Sequence, residues 1–341
     1  MNNLETYQKI YNLKDLNIES IKNNTITFIL LDNNNNYYTL TDDNFITYSV
    51  EIPLNIINLI KNIEKIYKLK IENYYPLCLN KNNSIIFACK ISKPSSYLKE
   101  LNTKETKIKK VLDICEKKSE YYSDSYSDEI LLVEKYKRRY SFYNKHIKKK
   151  ILTEKRRGKK EYLSLLNKLI VNYNSIIDVS CGDNDDIFKI TDSSKLVVGN
   201  DINLYQLKHT EEKYNHVVFT NDNILDLSFS KNIFDIAYCK NTLHHMNNKE
   251  ELNQLFENLY KVSNKMIIVE IIDPKTTGGL SRFLNTFLYN MYLKDSGKNY
   301  LTFNEFKQTI DKKFKNSCDI NYLSFENILG KYMIAVVEKR S

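Results

Sequence analysis

Tryptophan is absent from this 341-residue chain while Asn, Lys, Ile and Tyr abound, a bias of coding composition rather than a mark of function. The six cysteines include no C-x-x-C pair, so the paired-thiolate motifs of zinc and redox sites are missing. With no signal peptide in view, they imply a reduced, cytoplasmic setting. No run of eighteen apolar residues occurs, and no helix is expected to cross a membrane. His244 and His245 have no third partner at a metal-like spacing, so no metal site is expected.

What the chain does contain is a series of short apolar runs that end in polar residues. Ile176 to Asp185 (IIDVSCGDND) is followed by Leu196 to Asp201, Val217 to Asp222, Phe234 to Lys240 and Lys265 to Pro274, with helix-length polar segments between them. Ile and Val favour the pleat, whereas Gly and Asn tolerate positive φ at the turns. Such alternation argues for an α/β fold on a parallel sheet with helices on both faces. In that architecture the ligand crevice lies outside the carboxyl ends of the strands, which gathers the terminal acids into one cleft. Asp319 to Phe325 and Lys331 to Glu338 read as two further strands joined by a short link containing Gly330.

From Leu165 to Lys339 these motifs, in this order, resemble the class I methyltransferases that use S-adenosyl-L-methionine. IIDVSCGDND resembles the family's first motif, an acid followed by a Gly-x-Gly-x-Gly loop, and VVGNDI carries the acid expected after the second strand. FTNDNILDL resembles the adenine-reading segment, while FDIAYCKNTLHHM and MIIVEIIDP resemble the fourth and fifth strands. Ser180 and Asn184 stand where the family has its outer glycines, and only Gly182 is retained. Serine is small and asparagine tolerates the left-handed region, so the loop can still form.

The resemblance implies a Rossmann-like seven-stranded methyltransferase sheet closed by the C-terminal antiparallel pair, with S-adenosyl-L-methionine as cofactor. It implies that Asp178 holds the cofactor's ammonium, that Ser180 and Gly182 form the loop beside its methionine portion, and that Asp201 accepts from both ribose hydroxyls. Ile202 is then expected on the adenine ring face, Asp222 as acceptor for the adenine amino group beside Asn223, and Asn241 in the loop after the fourth strand. Taken singly, each acid also reads as a strand-end or helix-capping residue. Asp201 equally suits a dinucleotide enzyme, but that class expects G-x-G-x-x-G where this chain has S-C-G-D-N-D. A third alternative is a non-catalytic, nucleic-acid-binding or scaffold protein on a degenerate fold; Gly182 and Asp201 speak against it, Ser180 and Asn184 for it.

Methyl transfer from a sulfonium is an in-line displacement on an already activated group, so the protein contributes position and desolvation. His244 and His245, in KNTLHHM, are candidates for the base that takes a proton from the acceptor, since an imidazole titrates near pH 6.5. The alternative is one histidine in the packing and the other a polar cap. The amide-methylating D/N-P-P-Y signature is replaced by CKNT, which disfavours adenine and glutamine amides as acceptors. Leu280, Phe283, Leu284, Phe287, Leu288, Met291 and Tyr292 form an amphipathic stripe flanked by Gly278, Gly279 and Gly297. Most such stripes are core; in the family resembled here an insertion at this place commonly covers the substrate, which makes Phe283, Phe287 and Met291 candidates for a lid over a small organic acceptor.

At 341 residues the chain is too long for the methyltransferase unit alone. Residues 1–100 read as a small α+β domain, 101–164 as a helical, basic linker region, and 165–341 as the methyltransferase domain. In the first, TITFILL and YYTLT flank Asn33 to Asn36 as a hairpin, Leu54 to Leu69 carries a helical apolar stripe, and Ser84 to Lys90 reads as a strand. Ser119 to Asp128 is polar and turn-rich, a flexible boundary. Lys135 to Lys160 holds thirteen Lys and Arg against Glu154, a net +12 that exceeds the +9 of the whole chain. Such a segment, with Tyr140, Phe142 and Tyr143 inside it, can track RNA phosphates, sit on an anionic membrane or remain a solvated helix. In the family resembled here, an aromatic-rich helix at this place often closes over the cofactor. The expectation is a methyltransferase acting on a small-molecule acceptor, with an RNA acceptor bound through Lys135 to Lys160 as the alternative.

Overall fold

The computed structural model describes residues 4–13, 15–16, 25–40, 44–49, 55–80, 84–101, 109–119, 160–182, 186–272, 299–327 and 330–340. The lid candidates Phe283, Phe287 and Met291, and the basic segment up to residue 159, lie outside these residues. The N-terminal part comprises α1 (Leu4–Ile10), β1 (Asp15–Leu16), β2 (Thr25–Leu31), β3 (Tyr37–Leu40), β4 (Ile46–Ser49), α2 (Ile56–Tyr67), β5 (Ile71–Asn80), β6 (Ser84–Ile91), β7 (Leu98–Glu100) and α3 (Lys109–Ser119). Its strands form one mixed sheet in the order β1-β5-β6-β2-β3-β7, with β4 also on β2. TITFILL and SIIFACKI are buried at every position, as expected of strands covered on both faces, and they pair in parallel with Phe28 opposite Phe87.

The β2–β3 hairpin pairs Leu30 with Tyr38. Asp32 sets its turn, accepting from the Asn34 and Asn36 N–H groups at 2.8 and 2.9 Å and from the Tyr38 hydroxyl at 2.9 Å, while Asn35 takes the left-handed φ of 60°. Helix α2 starts on an Asn55 cap and stops where Lys68 turns left-handed, burying Ile56, Ile57, Ile60 and Ile63. Ile66, which continues the apolar stripe, is 54% exposed because this last turn lies beyond the packed face. Strand β5 contains Pro76, a residue that argues against a strand; a register shift between Pro76 and Cys78 accommodates it.

The C-terminal part begins with a helix over 160–169, here α4. There follow β8 (Ser175–Asp178), β9 (Leu196–Asn200), α5 (Leu204–Glu211), β10 (Val217–Thr220), β11 (Phe234–Lys240), α6 (Lys249–Val262), β12 (Ser263–Ile271), α7 (Phe303–Phe314), β13 (Cys318–Asn327) and β14 (Gly330–Lys339). The sheet order is β10-β9-β8-β11-β12-β14-β13. The first five strands are parallel, whereas β14 runs antiparallel to both β12 and β13. The chain therefore winds outward from β8 through β9 to β10, then returns to β11 on the other side of β8. That reversal opens a crevice between the carboxyl ends of β8 and β11. Gly199 in β9 is required by packing, since a Cβ there would lie 2.7 Å from Phe188 Cζ and 2.8 Å from Phe219 Cε1.

The two sheets share one apolar cluster. Tyr11 stacks on Phe229 with ring centroids 5.3 Å apart, and backbone bonds join Asn12 N–H to Ser228 O at 2.7 Å and Ser230 N–H to Ile10 O at 2.8 Å. Lys61 of α2 pairs with Glu211 and Glu212, and Lys208 of α5 pairs with Glu64 of α2 at 2.7 Å. The N-terminal sheet thus rests on α5 and on the 221–230 segment that follows β10. Among the described residues no helix is long and apolar enough to cross a membrane.

Candidate functional site

Parallel strands bring Asp178, Asn200, Asp201, Asn221, Asp222, Asn241 and Glu270 to one edge of the sheet, at or just beyond the ends of β8 to β12. The loop after β8 is held from three directions. Gly182 sits at φ +50°, donates its N–H to Asp201 Oδ2 at 2.7 Å and accepts from the Thr210 hydroxyl at 3.1 Å. A Cβ at Gly182 would meet Gln206 Oε1 at 2.7 Å, so both conformation and space call for glycine. Ser180, in place of an outer glycine, bonds its hydroxyl to that of Thr242 and so ties the β8 loop to the β11 loop across the crevice.

Asp178 is fully buried; its Oδ1 accepts a long bond from Ser180 N–H, and its Oδ2 has no partner among the described residues. Burial pushes its pKa well above the ordinary 3.8, with Asp186 and Asp201 adding to the effect and Ser180 N–H and Lys240 opposing it. Asp201 is half-buried, and its two oxygens accept from Gly182 N–H and, at 2.8 Å, from Asn203 N–H. Asp222 is fully buried, accepts from Ser228 N–H at 3.3 Å through Oδ2, and leaves Oδ1 without a partner among the described residues. Asn223 caps the short 3-10 turn Ile224–Asp226 by accepting from Leu225 N–H. Asn241 adopts φ +53° and donates its N–H to Val269 O at 2.9 Å, with its buried Oδ1 unpartnered among the described residues. Ile202 is half-buried against the Leu31 and Tyr37 cluster of the N-terminal sheet.

Burial pushes the Asp222 pKa up from 3.8 to about 6, against the pull of Lys118. Between those values the folded chain holds a proton that the unfolded chain has released, so this group's contribution to stability falls as pH rises from 3.8 to 6. Asp222→Asn is therefore expected to stabilise the protein at pH 7 by up to about 3 kcal/mol, with the gain shrinking as pH falls from 6 to 4. Urea unfolding at pH 7, 5 and 4 checks this; a gain independent of pH would remove burial of the charge as its cause.

The two histidines part company. His244 is fully buried, with Nδ1 2.6 Å from Glu270 Oε1 and its ring stacked on Tyr300 at 4.7 Å and 11°. His245 is exposed, its ring 4.4 Å from that of His244. Glu270, also fully buried, further accepts from Thr242 N–H at 3.2 Å, Leu243 N–H at 2.8 Å and Ile271 N–H at 3.0 Å. A carboxylate at Nδ1 fixes a hydrogen there, which makes Nε2 the proton-accepting atom of the neutral ring.

Sequence reasoning missed several residues that build this edge. Asn200 donates to Val179 O and Asp222 O and accepts from Thr220 Oγ1 and Asp222 N–H, all within 2.9 to 3.0 Å. Asn221 donates to Asp201 O at 2.6 Å and accepts from Tyr74 N–H at 2.9 Å. Lys240 pairs with buried Asp186 at 2.5 Å and lies over the ring of Tyr162, whose hydroxyl is 2.6 Å from that of Tyr238. The available signal was the Asn before each acid in GND and TND, and an acid inside the apolar run MIIVEII.

A family model for a methyltransferase domain matches residues 176–265, from β8 into β12. No curated protein sequence matches the chain. Among solved structures, the methyltransferase domain of bacterial CtHen1 is 14% identical over 53% of this chain and 99% of that one, with a TM-score of 0.40. Magnesium protoporphyrin IX methyltransferase from Synechocystis PCC 6803, with bound S-adenosylhomocysteine, is 15% identical over 57% and 88%, with a TM-score of 0.42. The N-methyltransferase NodS from Bradyrhizobium japonicum WM9, in complex with S-adenosylhomocysteine, is 9% identical over 54% and 88%, with a TM-score of 0.41. Over residues 176–265, then, this chain is similar to a methyltransferase domain.

Proposed function

We propose that the strand ends of this chain bind S-adenosyl-L-methionine and that it methylates a small organic acceptor beside His244 and Tyr300. The reading rests on the buried oxygens Asp178 Oδ2 and Asp222 Oδ1, each unpartnered among the described residues, at strand ends on either side of Asp201. A buried carboxylate oxygen lacking a donor is costly, and a ligand that brings hydrogens relieves the cost. Asp178 suits an ammonium and Asp222 an exocyclic amine. Asp201, whose two oxygens accept from Gly182 N–H and Asn203 N–H, stands between them as the charged acceptor for the ribose hydroxyls. When bound, the cofactor supplies an activated methyl group. The chain's own part is to hold it through the Gly182 loop, to keep the two loops together through Ser180 and Thr242, and to exclude water with Tyr300. His244 Nε2, oriented by Glu270, takes a proton from the acceptor's oxygen or nitrogen, with exposed His245 as the second candidate.

Calorimetry with S-adenosyl-L-methionine tests the cofactor assignment, and absence of binding by the parent protein would remove it. Asp201→Ala is expected to weaken binding by about 10²-fold, because two hydroxyls lose a charged acceptor worth about 1.5 kcal/mol or more each. Equal binding by variant and parent would overturn the ribose assignment. The RNA alternative is supported by the net +12 of Lys135 to Lys160. If it holds, neutralising Arg138, Arg139, Lys148, Lys149 and Lys150 lowers the salt slope of RNA binding by roughly 0.7 for each lost contact to a single strand. No RNA binding at low salt would end it.

A further inference from the structure

We infer that the N-terminal sheet supplies a wall of the adenosine subsite, with the Asn73 side chain as its contact; this rests on the cofactor reading above. Asn73 is fully buried in β5, opposite Lys90 of β6, and neither end of its amide has a partner among the described residues. A primary amide with donor and acceptor both unpaired is costly in a folded interior, and such groups are commonly explained by a ligand or a functional role.

Its position ties it to the site. The next residue, Tyr74, donates its N–H to Asn221 Oδ1 at 2.9 Å, and Asn221 Nδ2 donates to Asp201 O at 2.6 Å. The β5 backbone beside Asn73 is therefore two hydrogen bonds from the backbone of Asp201, the residue whose carboxylate is assigned to the ribose. Strand alternation puts Asn73 on the face of Tyr75, and Tyr75 belongs to the cluster against which Ile202 packs. Helix α3 approaches the other acid: Lys118 bonds the Ser228 hydroxyl and lies 3.7 Å from Asp226, while Ser228 N–H holds Asp222 Oδ2. Elements of the N-terminal part thus reach both acids assigned to adenosine. An amide presents one donor and one acceptor side by side, which matches the adjacent ring nitrogen and amino group of adenine. Asp222 Oδ1 takes one amino hydrogen and the Asn73 oxygen the other.

The test uses the full chain, with S-adenosylhomocysteine as the probe in calorimetry and thermal unfolding measured without it. Asn73→Leu, close to isosteric, is expected to melt at or above the parent because the unpaired amide is gone, yet to bind at least tenfold more weakly. Lys61→Met breaks the ion pairs to Glu211 and Glu212 elsewhere in the same interface and is expected to bind within twofold of the parent. Unchanged affinity in a folded Asn73→Leu protein overturns the inference, as does an equal loss in Lys61→Met. If the Leu variant does not fold, Asn73→Ala carries the same comparison. A parent protein that does not bind the probe overturns the cofactor reading itself, a distinguishable outcome.

Discussion

Asn200→Ala should lose about 4 kcal/mol of stability or more, far beyond what an ordinary strand-end substitution costs. Asn200 is fully buried and makes four hydrogen bonds, to the carbonyls of Val179 and Asp222, the Asp222 N–H and the Thr220 hydroxyl. One side chain thereby fastens the ends of β8, β9 and β10 together. Truncation strands four buried polar groups, each costing about 1–3 kcal/mol, and water entering the vacated space recovers only part of that. Asn200→Asp should be worse still, because a carboxylate would then face two carbonyl oxygens. Denaturant unfolding at pH 7 measures both, and a loss below about 1.5 kcal/mol in the Ala variant would mean that water replaces the amide. Cofactor affinity should fall alongside stability, since Asn200 holds both the N–H and the carbonyl of Asp222.

The five parallel strands were legible because each is an apolar run covered on both faces, and the acids that end them were legible as interruptions. Strand order was not, since apolar runs carry no record of their neighbours; it came through the resemblance. Asn200 and Asn221 were read only as the tail of a run, because a side chain that bonds backbone across strands leaves no local pattern. Glu270 was visible as an acid within MIIVEII, but its partner His244 lies 26 residues earlier and meets it only through the pairing of β11 with β12. In the N-terminal part the hairpin is local and was readable. The parallel pairing of β2 with β6, which places Ser84 beside Thr25 across 59 residues, was not, and Pro76 disguised β5 together with Asn73.

The largest effect at the acceptor side is expected for Glu270→Gln, at about 2–5 kcal/mol of stability, since each buried donor left without its acceptor costs about 1–3 kcal/mol. Both carboxylate oxygens of Glu270 receive two donors each: Thr242 and Leu243 N–H on Oε2, Ile271 N–H and His244 Nδ1 on Oε1. A glutamine amide must turn its NH₂ toward one of these pairs, so two bonds are lost and donors confront donors. His244→Asn removes only the imidazole, and a double-mutant cycle between the two sites should give a coupling of at least about 1 kcal/mol. A coupling near zero would show that Glu270 serves the loop backbone and not the histidine. Turnover then separates packing from chemistry. If His244 Nε2 takes the acceptor's proton, His244→Asn lowers turnover by about 10² or more with cofactor affinity nearly unchanged, because proton removal contributes only in the transition state. If stacking on Tyr300 and bonding to Glu270 are its whole role, the variant loses stability, keeps its turnover across pH 6 to 8, and leaves positioning as what the chain contributes to the reaction.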